Sequence, residues 1–218
     1  MDGFSLDEAG GRQFGPPLVC GGFPRSLFAG TESESVSWRR EFVRSFVEPD
    51  LPQIGSGVSS STIRRFWAML PLPRPDLERL RVRPRPRRER SERAPLRGLL
   101  IETFVARRLL PWSENLGKRQ VKSPKLYIAD PGILHSLLGI ENRAGLENHP
   151  KVGGSWEGFG ITHVAERLGV SRDECYFWAT QAGAELDLLV VRGERRMGFE
   201  FKRTMAPQVT KSMHICPQ

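Results

Sequence analysis

Apolar residues recur at helical spacing in two segments near the N-terminus. Residues 33–47 place three valines and Arg40 on one face of a helix of about four turns, because side chains three and four residues apart are neighbours on a helix. The valines are Val36, Val43 and Val47, and Trp38, Phe42 and Phe46 widen the stripe. A second stripe, with a serine at its start, predicts a helix over residues 60–70.

Two short strand patterns follow at residues 102–110 and 125–129, and the pair predicts a β-hairpin. Asp130 and Pro131 come directly after the second strand. Aspartate is a favoured helix N-cap and proline is favoured at the first helical position, so a short helix is predicted to begin there. Its apolar face is formed by Leu134, Leu137 and Leu138.

Another helical pattern runs from Ser155, which can serve as an N-cap, to about Leu168. Glu157 lies on its apolar stripe with Ile161 and Val164, at spacings of four and three residues. Burial of an unpaired carboxylate is unfavourable, so we expect Glu157 to meet a cation, a metal or a hydrogen-bond partner. The alternative is a glutamate that the helix dipole favours in the first turn.

Three runs rich in β-branched and aromatic residues predict consecutive strands near the C-terminus. They cover residues 174–180, 185–191 and 196–202. If Gly193 and Glu194 form a two-residue type II′ turn, the turn determines the register of the last two strands. In that register Asp187 lies opposite Glu200, with Cβ atoms about 4.5 to 5.5 Å apart.

Two like charges directly opposite each other destabilise a sheet unless a cation lies between them. Asp187 and Glu200 are therefore predicted ligands of Mg²⁺, and Lys202 projects to the same face because it lies two residues after Glu200. The candidate catalytic residues are Asp187, Glu200, Lys202 and Glu157. A metal-bound water beside a lysine is suited to hydrolysis of a phosphodiester. The alternative is an amphipathic hairpin that carries this pattern by chance.

Charge is concentrated in the middle of the chain. The net charge is +8, and residues 71–97 contain ten arginines against four acidic residues. The six prolines of this run exclude a helix, so we expect a disordered or extended linker. The run is either a nucleic-acid-binding arm or a solvated linker, and no aromatic residue is interleaved to stack on bases.

A smaller basic cluster near the predicted hairpin is a second candidate for contact with DNA, or else an ordinary solvated surface. It consists of Lys118, Arg119, Lys122 and Lys125.

The three cysteines are far apart and form no CxxC pair, so neither a disulfide framework nor a zinc site is indicated. No stretch approaches the roughly 18 consecutive apolar residues of a membrane span, and the N-terminus lacks a signal-peptide pattern. We therefore expect a cytoplasmic protein without a membrane partner.

The Glu157 helix, Asp187 and the tripeptide from Glu200 to Lys202 resemble the motif of the PD-(D/E)XK nuclease superfamily. Further segments are similar to a family of bacterial and archaeal AAA-type ATPases whose C-terminal portion is a nuclease-like domain of unknown function. These segments are GGFP at 21–24, WRREFVRSF at 38–46, DLPQIG at 50–55, LGKRQVKSPKLYIAD at 116–130 and GAELDLLV at 183–190.

The resemblance implies an α/β (α+β) fold with an N-terminal helical region and a C-terminal mixed-sheet nuclease-like domain. The implied parts are a loop and helical region at 1–70, the Pro/Arg-rich linker at 71–100, a hairpin and short helix left from a winged-helix domain at 101–150, and the nuclease-like domain at 151–218. The superfamily calls for a further helix and strand, so we expect an incomplete domain. Its exposed sheet edge would then offer a route to oligomers.

Two departures from the family bear on function. Its members begin with an ATP-binding domain, but no GxxxxGK[ST] motif occurs here, so the chain is predicted to have no ATP site of its own. Relatives carry a winged-helix-like pair of helices where this chain has the Pro/Arg-rich run. An altered reading frame is the simplest hypothesis for that difference.

Three functions therefore stay open from the sequence. The chain is a Mg²⁺-dependent endonuclease, a module that binds nucleic acid or protein without cleaving, or an inactive fragment of the ATPase.

Overall fold

The computed structural model describes residues 17–47, 106–113, 124–180, 183–206 and 208–215. The predicted helix at 60–70, the Pro/Arg-rich run and the basic residues Lys118, Arg119 and Lys122 lie outside these ranges. The chain divides into two compact units. The first comprises residues 1–107 and 127–155, and the second comprises residues 108–126 and 156–218.

Helices make up most of the described part of the first unit. They are α1 (Pro17–Cys20), α2 (Pro24–Leu27), α3 (Glu32–Phe42) with a π-helical turn after it (Val43–Val47), α4 (Pro131–Leu137), α5 (Arg143–Glu147) and the start of α6 (Val152–Arg167). Helices α1 and α3 both pack against α4. No helix in the described ranges is long and apolar enough to cross a membrane.

Helix α3 is the helix predicted at 33–47, but it packs through a different face. The Thr31 hydroxyl caps it by accepting a hydrogen bond from Glu34 N at 3.2 Å. Ser35, Arg39 and Val43 are buried, whereas Arg40 is exposed. The inclusion of Arg40 in the packed stripe was therefore wrong. Val43 is buried as predicted, and Arg39 is buried instead of Arg40 because Arg39 finds backbone carbonyl groups there.

Arg39 is only 1% exposed, although it carries a permanent charge. Its guanidinium donates to the carbonyl oxygens of Val19 at 3.1 Å and Gly132 at 3.3 Å, and its Nε donates to Ser35 O at 3.3 Å. A further contact joins Nη2 to Glu141 O at 3.5 Å. The side chain thus ties α3 to the backbone on both sides of α4.

The predicted start of α4 is confirmed. The Asp130 carboxylate accepts from Ile133 N at 2.8 Å, and Pro131 is the first helical residue. Asp130 also accepts from Gly22 N at 2.7 Å, so the cap holds the loop after α1 as well.

The strands of the described residues form one mixed sheet in the order β2-β1-β3-β4-β5. They are β1 (Ala106–Pro111), β2 (Lys125–Ile128), β3 (Cys175–Ala179), β4 (Glu185–Arg192) and β5 (Arg195–Phe199). Strand β1 is parallel to β3, while β3 with β4 and β4 with β5 are antiparallel. This agrees with the predicted α+β class and with three consecutive C-terminal strands. A short helix, α7 (Lys211–Ile215), follows the sheet.

The register predicted for the last hairpin is confirmed. Leu188 pairs with Phe199, and the ladder continues to the pair of Arg192 and Arg195 around the turn. Gly193 has a φ of +60°, the left-handed region that a glycine at the first turn position supplies. Strand β5 ends at Phe199, so Glu200 lies just beyond the hydrogen-bonded ladder.

Helix α6 begins at Val152, so the prediction that Ser155 caps it was wrong. Ser155 N already donates to Lys151 O at 3.0 Å, as in a continuing helix. Its hydroxyl lies 2.7 Å from Nε2 of the buried His135, whose Nδ1 lies 3.2 Å from Val19 O. Burial lowers the pKa of His135 to about 4, so the imidazole is neutral and Ser155 is engaged in packing.

Candidate functional site

Three carboxylates of the second unit surround one ammonium group. Lys125 begins β2, and its Nζ lies 3.0 Å from Glu157 on α6. The same atom lies 2.5 Å from Glu185 and 3.5 Å from Asp187, both on β4. We call these four residues the Lys125 cluster. The Lys125 side chain is 11% exposed, so the ion pairs are shielded from water.

The strands explain why these groups converge. Glu185 and Asp187 are two residues apart on β4 and therefore project to the same face of the sheet. The Lys125 ammonium also lies 5.3 Å from the centre of the Phe177 ring on β3, a favourable cation–π contact. The cation expected beside Glu157 is thus Lys125, which lies 32 residues away in sequence.

The charges of the Lys125 cluster shift the pKa values of its members. Burial alone would lower the pKa of Lys125, but Glu157, Glu185 and Asp187 together raise it above 10.5. Burial, followed by the Glu157 charge, raises the pKa of Asp187 to about 7, and the two carboxyl groups share a hydrogen bond. Asp187 is therefore partly protonated near neutral pH.

The raised pKa of Asp187 predicts that the free energy of unfolding depends on pH. Between the ordinary pKa of 3.8 and the folded value of about 7, the folded chain holds a proton that the unfolded chain releases. Stability therefore falls as pH rises through this window and levels off above it. We expect Asp187→Asn to remove this fall, which is at most about 1.4 kcal/mol per pH unit. Urea denaturation at several pH values between 4 and 8 measures it.

The control for this prediction is Asp173→Asn, since Asp173 is exposed on the turn before β3. That variant should retain the pH profile of the unmodified chain. A profile that is unchanged in Asp187→Asn would contradict the assignment of the proton to Asp187.

Glu200 and Lys202 form a second group. Lys202 Nζ lies 2.8 Å from Glu200 Oε1, and the Thr210 hydroxyl donates to Glu200 Oε2. Glu200 is 7% exposed and Lys202 is 56% exposed in their side chains. Burial would raise the pKa of Glu200, but the hydrogen bonds from Lys202 and Thr210 hold it below 4.5.

Asp187 connects the two groups. Its Oδ2 accepts a hydrogen bond from Phe201 N at 2.8 Å, directly after Glu200. The hydrogen bond that Lys202 donates to Glu200 raises the pKa of Lys202, and the charges of Asp187 and Glu157 raise it further. The four residues predicted as catalytic therefore lie near one another, although Asp187 and Glu200 each have their own hydrogen-bond partners.

Gly160 on α6 allows this arrangement. A Cβ atom at this position would lie 2.6 Å from Cε1 of Phe201, so only glycine lets the ring pack against the helix. The backbone N–H of this same residue, Phe201, donates to the Asp187 carboxylate.

The site does not fit a bound Mg²⁺ as it is built. Mg²⁺ requires oxygen ligands at about 2.0 to 2.1 Å in octahedral geometry. The ammonium of Lys125 lies among the carboxylates of its cluster, and Glu200 faces Lys202 and Thr210. Among the described residues, no group of three or more histidine, cysteine, aspartate or glutamate side chains is arranged to hold a metal ion.

Sequence reasoning missed two members of the site. Lys125 was interpreted as part of a basic surface, whereas its ammonium faces carboxylates. Glu185 was interpreted only as the start of a strand. Its spacing of two residues from Asp187 was the available signal, since both must share a face.

Two family models match different parts of the chain. Residues 152–217 match a family described as Domain of unknown function (DUF4143), which is often found in the C-terminal regions of AAA ATPases. Residues 12–144 match a family described as Domain of unknown function (DUF8612). This second match covers more than half of the chain, and the chain belongs to that family.

Two mycobacterial relatives are similar over nearly the whole chain. They are the uncharacterized proteins Rv2008c of Mycobacterium tuberculosis and Mb2031c of Mycobacterium bovis, each 39% identical over 219 residues. The alignment covers 98% of this chain and 48% of each relative, so the chain spans about half their length. No solved structure matches.

Proposed function

We propose that the chain is a nuclease-like module of an AAA-type ATPase family protein that binds nucleic acid without cleaving it. The observation that carries the proposal is the basic tip of the β4–β5 hairpin. Arg195 and Arg196 follow the turn there, next to Glu194, while the third arginine of the tip, Arg192, is ion-paired with Glu174 at 2.9 Å.

The order of elements supports a nuclease-like module. Helix α6 precedes three consecutive strands, and Glu157 on this helix lies in one region with Asp187, Glu200 and Lys202. This is the order of helix and strands in the PD-(D/E)XK resemblance. The match to a family that is common in AAA ATPases supports the proposal that this module belongs to a protein of an AAA-type ATPase family.

The partners of the carboxylates support binding without cleavage. A hydrolytic metal needs open coordination positions for water and substrate. Here Asp187 is engaged by Lys125 and Phe201 N, and Glu200 is engaged by Lys202 and Thr210. The Mg²⁺ predicted from the sequence has no place in the proposed function.

The charge distribution supports nucleic acid as the partner. The chain has a net charge of +8, and phosphate contacts dominate the affinity of proteins for nucleic acids. At the hairpin tip, the Arg196 guanidinium lies 4.8 Å from the centre of the Trp112 ring. An arginine beside an aromatic ring is typical of surfaces that bind single strands by charge and stacking.

Electrophoretic mobility shift with a fluorescent oligonucleotide, single-stranded and duplex, tests the binding. We expect Arg195→Glu/Arg196→Glu to weaken binding at least about tenfold and to reduce the salt dependence by about two phosphate contacts. The matched control is Arg25→Glu/Arg44→Glu, which reverses two exposed arginines of the first unit. Equal losses in both double variants would show non-specific attraction and contradict a site at the hairpin tip.

Incubation of supercoiled plasmid with Mg²⁺ tests the absence of cleavage. We expect nicking by the unmodified chain to equal that by Asp187→Asn. Nicking that Asp187→Asn and Lys202→Met both abolish would replace this proposal with the endonuclease hypothesis.

A further inference from the structure

We propose that Lys125 is the resident cation of the carboxylate cluster, in the position that a divalent ion would otherwise take, and that its removal creates a divalent-cation site. This inference rests on the proposed non-cleaving function and explains it. Whether the carboxylates can bind a divalent cation then depends on one side chain on β2.

The geometry of donors and acceptors supports the assignment. An ammonium group carries three N–H donors, and three carboxylates lie within 2.5 to 3.5 Å of Lys125 Nζ. The carboxylates come from α6 and β4, and the ammonium comes from β2. Three elements of the second unit therefore meet at one cation, as they would at a bound metal ion.

The burial of the group shows why a cation is required there. Glu157 and Asp187 are 17% and 15% exposed in their side chains, and uncompensated charges at such depth are strongly destabilising. Lys125 supplies a positive charge within 3.5 Å of all three carboxylates. The chain thus neutralises its own acidic cluster.

The same contacts exclude a divalent ion. A metal ion held by these oxygens would lie within a few ångströms of the ammonium, and like charges at that distance repel strongly in a partly buried site. The ammonium is retained by its ion pairs and by the Phe177 ring at 5.3 Å. A metal can enter only when the charge of Lys125 is removed.

Titration of the purified chain with Mn²⁺ alone tests the inference, with free Mn²⁺ followed by electron paramagnetic resonance. We expect Lys125→Met to bind Mn²⁺ at least about tenfold more tightly than the unmodified chain, since methionine keeps the length of the side chain without its charge. Thermal unfolding gives a second readout. Mn²⁺ should raise the Tm of Lys125→Met and leave the Tm of the unmodified chain unchanged.

The control variant is Lys202→Met, which removes the other lysine near the site but leaves the Lys125 cluster intact. It should gain no Mn²⁺ affinity. If Lys125→Met does not fold, Lys125→Met/Asp187→Asn is measured instead, because it removes one of the repelling charges and retains Glu157 and Glu185.

The inference is overturned if neither Lys125 variant gains Mn²⁺ affinity, or if the unmodified chain binds Mn²⁺ as tightly as Lys125→Met. Its failure is distinguishable from that of the proposed function. Absence of a Mn²⁺ gain leaves the plasmid and mobility-shift results unaltered, whereas Mg²⁺-dependent nicking by the unmodified chain defeats the proposed function directly.

Discussion

Arg39→Met is expected to lower the free energy of unfolding by about 2 to 4 kcal/mol, because leaving a buried acceptor without its donor costs about 1 to 3 kcal/mol. Arg39 is 1% exposed and donates to the carbonyl oxygens of Val19, Ser35 and Gly132. Methionine fills most of the volume but donates no hydrogen bond, so buried acceptors lose their partners. The midpoint of urea denaturation, followed by circular dichroism, measures the loss.

Arg40→Met is the matched control. Arg40 is the next residue on α3, and its side chain is 60% exposed in an ion pair with Glu141. An exposed pair of this kind contributes less than about 1 kcal/mol. Equal losses for the two variants would show that the carbonyl contacts of Arg39 do not stabilise the first unit.

Gly132→Ala is expected to destabilise the chain by about 3 kcal/mol, at the upper end for overpacking in a core. Gly132 lies in the first turn of α4, where a Cβ atom would overlap the carbonyl oxygen of Cys20 and lie 2.8 Å from Gly21 N. These are backbone atoms, so no side-chain rotation can relieve the overlap. The backbone of α1 would have to move away from α4. Thermal unfolding monitored by calorimetry records the change.

Gly153→Ala is expected to have the opposite effect and to stabilise the chain. Gly153 lies in the first turn of α6, and a Cβ atom there meets nothing within 4 Å. Alanine should stabilise the helix by about 0.5 to 1 kcal/mol, because it restricts the unfolded chain and favours helix. A loss of stability in Gly153→Ala comparable to that in Gly132→Ala would refute the close approach of α1 and α4 as the cause.

Local chemistry was enough to predict the parts of the fold that depend on neighbours in sequence. Asp130 and Pro131 specify the start of α4 through one capping bond and one fixed φ angle. Gly193 specifies the last hairpin, because a two-residue turn leaves one register for its strands. The order of helix α6 and strands β3 to β5 followed from their hydrophobic patterns.

Contacts between segments that are distant in sequence could not be predicted from such local patterns. The stripe on α3 was predicted correctly at Val43 but wrongly at Arg40, because the carbonyl groups that make Arg39 a buried residue include Gly132 O, which is 93 residues away. Ser155 was interpreted as a cap from its residue type alone, whereas His135 engages its hydroxyl inside a longer helix.

The sequence by itself placed Asp187, Glu200 and Lys202 on one face of the last hairpin, since strand alternation and a two-residue turn are local rules. Only the tertiary structure decided which cation the carboxylates meet. Strand β2 brings Lys125 among Glu157, Glu185 and Asp187. A sequence pattern records how many charges a strand carries, but the ion that compensates them depends on which distant chain segment folds against it.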